Sequence, residues 1–201
     1  MAYIAELIVR GVFLGAVYGL LALPMSLTFV TVGSIDFALG SYAVLAAAVG
    51  STFGGIVGMC ICNDRRWPET YRVMGLQGVE IVALGYNTPI ANIHHREPEH
   101  LRMFHHLLSL QAGAYQNAAW VLAAAKCGAE DGHAMIGGSA IVAPTGEIAA
   151  LALTEEDELI ATTLDLELGE YLRRTVFNFA KHRRIEHYGV ITSRTGAKTE
   201  V

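Results

Sequence analysis

Hydrophobic and polar positions are distributed very unevenly along this chain. The first 63 residues carry three charged side chains, which are Glu6, Arg10 and Asp36. No charged residue occurs over the 25 positions from Gly11 to Ile35, and a helix needs about 20 apolar residues to cross a bilayer. This pattern predicts one membrane-type helix, and the stretch from Phe37 to about Gly50, rich in small residues, predicts a second, shorter one. Residues 11–50 would then allow the chain to associate with a membrane.

Beyond residue 63, apolar runs are short and alternate with polar stretches. The run that ends at Cys62 is followed at once by polar residues, and Pro68 suits the first turn of a helix. This order predicts a strand, a sharp turn at Cys62 and a helix. The further predicted helices are Thr70–Leu76, Pro98–Asn117 and Glu167–Val176, and the further strands are Val79–Gly85, Ala118–Ala125, Ser139–Ala143, Glu147–Leu153 and Leu159–Leu164. Alternating strands and helices predict an α/β layered fold.

The longest predicted helix, 98–117, has apolar side chains at three- and four-residue spacing. They are Leu101, Phe104, Leu107, Leu108 and Ala112. Histidines are frequent in and before this helix, at positions 94, 95, 100, 105 and 106. Adjacent helical positions point to different faces, which suits shared metal ligation poorly. We therefore interpret the histidines as part of a packed or interfacial helix and predict no metal site.

Composition adds three constraints. The 201 residues suffice for one or two domains, and the net charge of −5 makes nucleic acid an unexpected partner. Three cysteines do not form a disulfide framework, so a reducing compartment is the simpler interpretation. The step in charge density predicts two pieces, a hydrophobic segment at 1–53 and a more polar domain at 54–201.

Two sequence motifs resemble those of a known enzyme family. The sequence from Cys62 to Glu69, with its double arginine, resembles the nucleophile motif of the nitrilase, or carbon–nitrogen hydrolase, superfamily. Together with Gly85–Pro89, it is similar to N-carbamoyl-D-amino-acid amidohydrolases in particular. The resemblance runs from about Gly58 to about Tyr188. It implies the C-terminal half of an αββα nitrilase-type sandwich, preceded here by one or two membrane-type hydrophobic helices. It also implies a cytoplasmic hydrolase part, no cofactor, and homo-oligomers paired through the helix at 98–117.

The resemblance also implies a reaction. Family members hydrolyse an N-carbamoyl-D-amino acid to the D-amino acid, ammonia and carbon dioxide with a Cys-Glu-Lys triad, in which Cys62 matches the nucleophile. The glutamate and the lysine belong upstream, where this chain has no lysine and only Glu6. We therefore expect no useful turnover by this chain alone. The positions that match substrate-binding residues are Arg65, Arg66, Asn87 and Thr88.

Alternative interpretations stay open for these residues. One of the two arginines would pair with a structural acid, Asp64 or Glu69, and Cys62 would be an inert buried thiol.

Gly15–Leu23 and Ile35–Gly40 are similar to the N-terminus of permease subunits of branched-chain amino-acid ABC transporters. The chain would then be a chimera. As alternatives to the hydrolase, it would be a membrane permease remnant with a cytosolic tail or a catalytically dead carboxylate-binding module.

Overall fold

The computed structural model describes residues 55–91 and 98–197. The strands are β1 (Val57–Ile61), β2 (Ile81–Tyr86), β3 (Trp120–Ala125), β4 (Ala129–Glu130), β5 (His133–Ala134), β6 (Ala140–Val142) and β7 (Ile148–Leu151). The helices are α1 (Pro68–Leu76), α2 (Glu99–Asn117), α3 (Leu166–Arg174), α4 (Phe179–His182) and α5 (Gly189–Ser193). Two 3₁₀ helices, at Cys62–Arg66 and Ile185–His187, complete the set.

Five of these strands form one mixed sheet in the order β1-β2-β3-β6-β7. The first three strands are parallel, and β6 and β7 run antiparallel to their neighbours. The carboxyl ends of β1, β2 and β3 therefore meet at one edge of the sheet, where α/β folds commonly hold their functional sites. The short hairpin of β4 and β5 is separate from this sheet.

One face of the sheet is covered by α1 and α2. Tyr71 and Met74 of α1 and Leu110 of α2 pack in one buried cluster with Val82 and Val121 of the sheet. The two helices approach closely at Gly113, where an added Cβ would lie 2.6 Å from the Tyr71 ring. Burial of these apolar side chains is the main source of stability for this layer.

The opposite face of the sheet packs a second cluster around Ile81, Trp120 and Ile141. Ile160 and Leu164, which precede α3, pack against this cluster. The Trp120 indole Nε1 donates to the carbonyl oxygen of Asp165 at 2.9 Å. Because this face contacts the segment that leads into α3, the C-terminal part of the domain is anchored to the sheet.

Most of the predicted elements are confirmed, including the strand, turn and helix around Cys62 and the hairpin of β6 and β7. The predicted strand Leu159–Leu164 is wrong, because this segment has no strand pairing and lays its apolar side chains on the face of the sheet instead. The segment 126–132, predicted as a loop, contains β4.

The buried face of α2 differs from the apolar stripe in its sequence. Its buried residues are Arg102, His106, Leu110, Gly113, Ala114 and Asn117. Phe104 and Leu108, which belong to the predicted stripe, are 56% and 50% exposed. Polar side chains replace apolar ones on the buried face because, as described below, His106 has hydrogen-bond partners there.

The predicted membrane-type segment at 11–50 lies outside the described residues. Across 55–91 and 98–197, no helix combines the length and the apolar character that spanning a bilayer requires. The described part supplies one sheet with two helices on one face, which corresponds to one α/β layer pair of the predicted sandwich.

Candidate active site

Cys62 lies at the first position after β1, at the edge where the parallel strands end. Its φ angle is 45°, in the left-handed region that side chains other than glycine rarely adopt. Ile61 is in register with Gly85 of β2, so Cys62 and Tyr86 follow at the same edge of the sheet. Unfavourable backbone conformations of this kind persist only when the surroundings hold them, and they cluster at functional sites.

The turn after Cys62 is held partly by Asp64. The Asp64 carboxylate accepts a hydrogen bond from the backbone N–H of Ile61 at 3.0 Å. The Asp64 carbonyl oxygen accepts another from the backbone N–H of Trp67 at 3.1 Å. Asp64 therefore closes the 3₁₀ turn that links β1 to α1. Among the described ion pairs, Asp64 and Glu69 bind neither arginine of the motif.

Arg65 is the largest buried polar side chain of the site, with 2% of its surface exposed. Its guanidinium donates to the carbonyl oxygen of Cys62, to Nδ1 of His106 at 3.1 Å and to Oγ1 of Thr88 at 2.9 Å. It also lies 4.6 Å from the centre of the Tyr86 ring, a cation–π distance. Burial lowers the pKa of Arg65 below its ordinary value. Arg65 thus joins β2, α2 and the Cys62 turn through one buried cation.

His106 extends this network into the sheet. Because the Arg65 Nε–H is a permanent donor, His106 Nδ1 must accept, and the neutral ring carries its proton on Nε2. Nε2 lies 2.7 Å from the Tyr86 hydroxyl, and Tyr86 in turn donates to the Gly138 carbonyl oxygen at 2.9 Å. Burial, and then the Arg65 charge, lower the pKa of His106 to about 4. The ring is therefore neutral at physiological pH.

The four predicted substrate-binding residues are placed in two different ways. Arg65 and Thr88 are buried and bind each other, which favours a positioning role for both over direct contact with a ligand. Arg66 and Asn87 are exposed. The Asn87 amide donates to Glu130 at 3.3 Å, and Glu130 pairs with Lys126 at 2.7 Å. Arg66 and Asn87 therefore lie at the surface, outside the buried network of Arg65 and Thr88.

The second cysteine of the motif region has a different environment from Cys62. Cys60 lies within β1 and is 6% exposed, whereas Cys62 is partly exposed. Burial, with a smaller contribution from the Asp64 carboxylate, raises the pKa of Cys60 to about 12. Because the thiolate is the reactive form of cysteine, Cys60 is poorly suited to act as a nucleophile.

Sequence reasoning missed His106 and Tyr86 as members of the site. A signal for His106 existed in the spacing of α2, where His106, Leu110 and Gly113 share one face. Tyr86 follows an apolar strand and gives no comparable signal. Within the described part of the chain, no three His, Cys, Asp or Glu side chains lie close enough together to hold a metal ion.

Comparison with known proteins assigns a family. The profile of the carbon-nitrogen hydrolase family matches residues 23–174. Deaminated glutathione amidase of Homo sapiens is 33% identical over 140 residues, which cover 69% of this chain and 39% of that protein. N-carbamoylputrescine amidase of Oryza sativa subsp. japonica is 30% identical over 155 residues, covering 71% and 49%.

A solved structure agrees with this assignment. The carbon-nitrogen hydrolase from Helicobacter pylori G27 superposes with a TM-score of 0.61 at 26% identity, covering 71% of this chain and 50% of that one. The chain spans less than half the length of the curated relatives described here. The family match begins at residue 23, inside the segment predicted to resemble a permease, and that resemblance is not confirmed. The domain boundary near residue 53 stays a prediction.

Proposed function

This chain belongs to the carbon-nitrogen hydrolase family, and from that premise we propose that it carries the cysteine half of a site that hydrolyses N-carbamoyl-D-amino acids. The observation that carries the proposal is the placement of Cys62. The residue ends a parallel strand, has a positive φ angle and is partly exposed beside a buried cation. This arrangement presents a thiol at the functional edge of an α/β sheet.

The proposed reaction uses Cys62 as its nucleophile. The thiolate attacks the carbonyl carbon of the carbamoyl group, the tetrahedral intermediate expels ammonia, and a thiocarbamate that joins the Cys62 sulfur to the substrate remains. Water then attacks the carbonyl carbon of this thiocarbamate, the Cys62 sulfur leaves, and the resulting carbamic acid decomposes to carbon dioxide and the D-amino acid. Both steps need an acid/base and positive charge at the oxyanion.

These supporting groups limit what the chain does by itself. In the family resemblance they are a glutamate and a lysine that precede the cysteine, and no lysine precedes Cys62 in this sequence. Loss of one oxyanion donor alone costs about 2.7–4 kcal/mol of transition-state stabilisation. We therefore propose that the chain turns over substrate only when another polypeptide segment supplies both groups.

The proposed substrate class follows from the exposed cation of the motif. Arg66 follows Arg65 in the turn and is exposed, so it suits charge-assisted hydrogen bonds to a carboxylate. Asn87, which matches another substrate-binding position, is also exposed. The curated relatives include an amidase of N-carbamoylputrescine, a carbamoyl compound that carries an amine and no carboxylate. A cationic side chain at Arg66 favours the carbamoyl amino acid over such an amine.

The direct test is ammonia release from N-carbamoyl-D-phenylalanine. We expect no release by the purified chain, and cysteine-dependent release when the N-terminal half of a family enzyme, with its glutamate and lysine, is added as a second polypeptide. The matched control is the same mixture with Cys62→Ala, which should be silent. If a complex forms and still releases no ammonia, the hydrolase proposal is wrong and a carboxylate-binding module is the better account.

We also propose that the chain forms homo-oligomers through α2. Its exposed Phe104 and Leu108 form an apolar strip on the side away from the sheet. Light scattering of the wild-type chain should give a mass above that of a monomer. The double variant Phe104→Glu with Leu108→Glu should be monomeric, and an unchanged mass would contradict this use of α2.

A further inference from the structure

A cavity lies between α1 and residues 176–192. Its volume is about 490 Å³, within the range of small-molecule sites. Its apolar wall consists of Val73, Leu76, Val176, Phe177, Phe179 and Ile191. None of the residues that form the Cys62 network lines it. The cavity is therefore separate from the candidate active site.

Arg72 is the polar residue of this cavity that most needs a partner. Its Nη1 atom is buried and has no hydrogen-bond partner. The guanidinium lies 4.3 Å from the centre of the Phe179 ring, which accounts for its position but gives Nη1 no acceptor. Arg72 is partly buried and has no ion-pair partner among the described residues, so an anion in the cavity beside its guanidinium would stabilise the folded chain.

The charges around the cavity favour an anion. Arg183 also lines it, over the Tyr188 ring at 5.3 Å. Burial lowers the pKa of Arg72, and the nearby Arg183 lowers it further. Neither arginine forms an ion pair with any residue that the structure describes. The other ionisable lining groups are Glu69, His182 and the Tyr188 hydroxyl, so two arginine cations face one carboxylate.

From this geometry we propose that the cavity binds an amphipathic monocarboxylate, a molecule with an anionic head and an unbranched hydrocarbon tail. The carboxylate would accept hydrogen bonds from the guanidinium groups of Arg72 and Arg183, because forked donors match a planar carboxylate. The tail would lie on the apolar wall formed by α1 and the C-terminal segment. The proposal is independent of the reaction at Cys62.

The test is calorimetric titration of the full chain with decanoate. We expect saturable binding at one site per chain, weakened at least about tenfold by Arg72→Gln, since a hydrogen bond to a charged group is lost. Arg72→Lys, which keeps the positive charge, should lose less affinity for decanoate than Arg72→Gln. Val73→Glu, at a position that is 54% exposed, should abolish binding by adding a negative charge without disturbing the core.

Matched controls distinguish binding in this cavity from nonspecific binding elsewhere on the chain. Arg194→Gln, at an exposed position outside the cavity, and Cys62→Ala should leave decanoate affinity unchanged. Decanol, which has the tail without the charge, should bind at least about tenfold more weakly. Equal affinity of decanol and decanoate, or of wild type and Arg72→Gln, would overturn the proposal. The proposal would also be wrong if decanoate did not bind and the chain formed dimers that dissociate on Val73→Glu. A second copy of the chain would then fill the cavity.

Discussion

Arg65 donates a hydrogen bond to the main-chain carbonyl oxygen of Cys62, three residues back in the chain. The same buried guanidinium reaches Thr88 of the neighbouring loop and His106 of α2. One cation therefore couples the positive-φ backbone of the candidate nucleophile to two other parts of the domain. The two arginines of the motif thus occupy different environments, since Arg65 is buried and Arg66 is exposed.

We predict that Arg65→Lys destabilises the chain by about 3 kcal/mol or more. A lysine ammonium cannot reach three acceptors in the geometry of a guanidinium fork, and buried acceptors left unpaired cost about 1–3 kcal/mol each. Urea unfolding followed by circular dichroism measures the change. The matched control Arg66→Lys, at the adjacent exposed position, should change the free energy of unfolding by less than about 0.5 kcal/mol. Equal effects of both variants would contradict the internal role of Arg65.

We predict that His106 makes the chain less stable as pH falls. The pKa of His106 is about 4 in the fold, against an ordinary value of 6.5, so between these values the unfolded chain binds a proton that the folded chain does not. Stability is full above pH 6.5 and declines toward pH 4, by about 3 kcal/mol from this group. Urea unfolding at pH 7 and pH 4.5 tests this. His106→Gln keeps a donor and an acceptor without titrating. The loss of stability between pH 7 and pH 4.5 should therefore be smaller in this variant, by most of the about 3 kcal/mol.

How far the sequence predicted the site can be judged from Pro68 and Arg65. The strand, turn and helix around Cys62 were predictable because Pro68 and the polar residues before it act locally. The orientation of Arg65 was not, because its partner His106 lies 41 residues further on. A double arginine beside a cysteine looks like two equal cations in sequence, and only tertiary packing buries one of them.

The prediction of a strand at 159–164 was also wrong because tertiary contacts decide the structure of this segment. Its apolar residues match a strand pattern, but a strand also needs a pairing partner, which local sequence does not specify. Here Ile160 and Leu164 pack on the face of the sheet instead. The apolar spacing in α2 located the helix correctly but did not identify its buried face, because Phe104 and Leu108 are exposed.

We predict that an alkylating reagent modifies Cys62 and leaves the neighbouring Cys60 unmodified. At pH 8, a thiol with a pKa of about 12 is thiolate in only about one molecule in 10⁴, and Cys60 is also 6% exposed. Iodoacetamide should therefore modify Cys62 while Cys60 stays unmodified, as measured by peptide mass spectrometry. In urea the two should react at similar rates. Modification of Cys60 as fast as Cys62 in the folded chain would contradict the described burial.

We predict that Gly113→Ala destabilises the contact between α1 and α2 by about 1–2 kcal/mol. The added Cβ would lie 2.6 Å from the Tyr71 ring, and overpacking costs about 1–3 kcal/mol, partly offset by the better helix propensity of alanine. The control is Gly189→Ala, where no atom lies within 4 Å of the added Cβ. A Gly113→Ala chain as stable as that control would show that the two helices pack less closely than described.

The central claim is that the Cys62 turn still forms a site for a carbamoyl compound with a carboxylate. Calorimetric titration of the Cys62→Ala chain with N-carbamoyl-D-phenylalanine tests it most directly, with N-carbamoyl-D-phenylalaninamide as the matched ligand without the carboxylate. We predict binding of the acid at one site, at least about tenfold weaker binding of the amide, and a similar loss for the acid when Arg66→Gln is added. Equal binding of acid and amide, or an acid affinity that Arg66→Gln leaves unchanged, would contradict the claim.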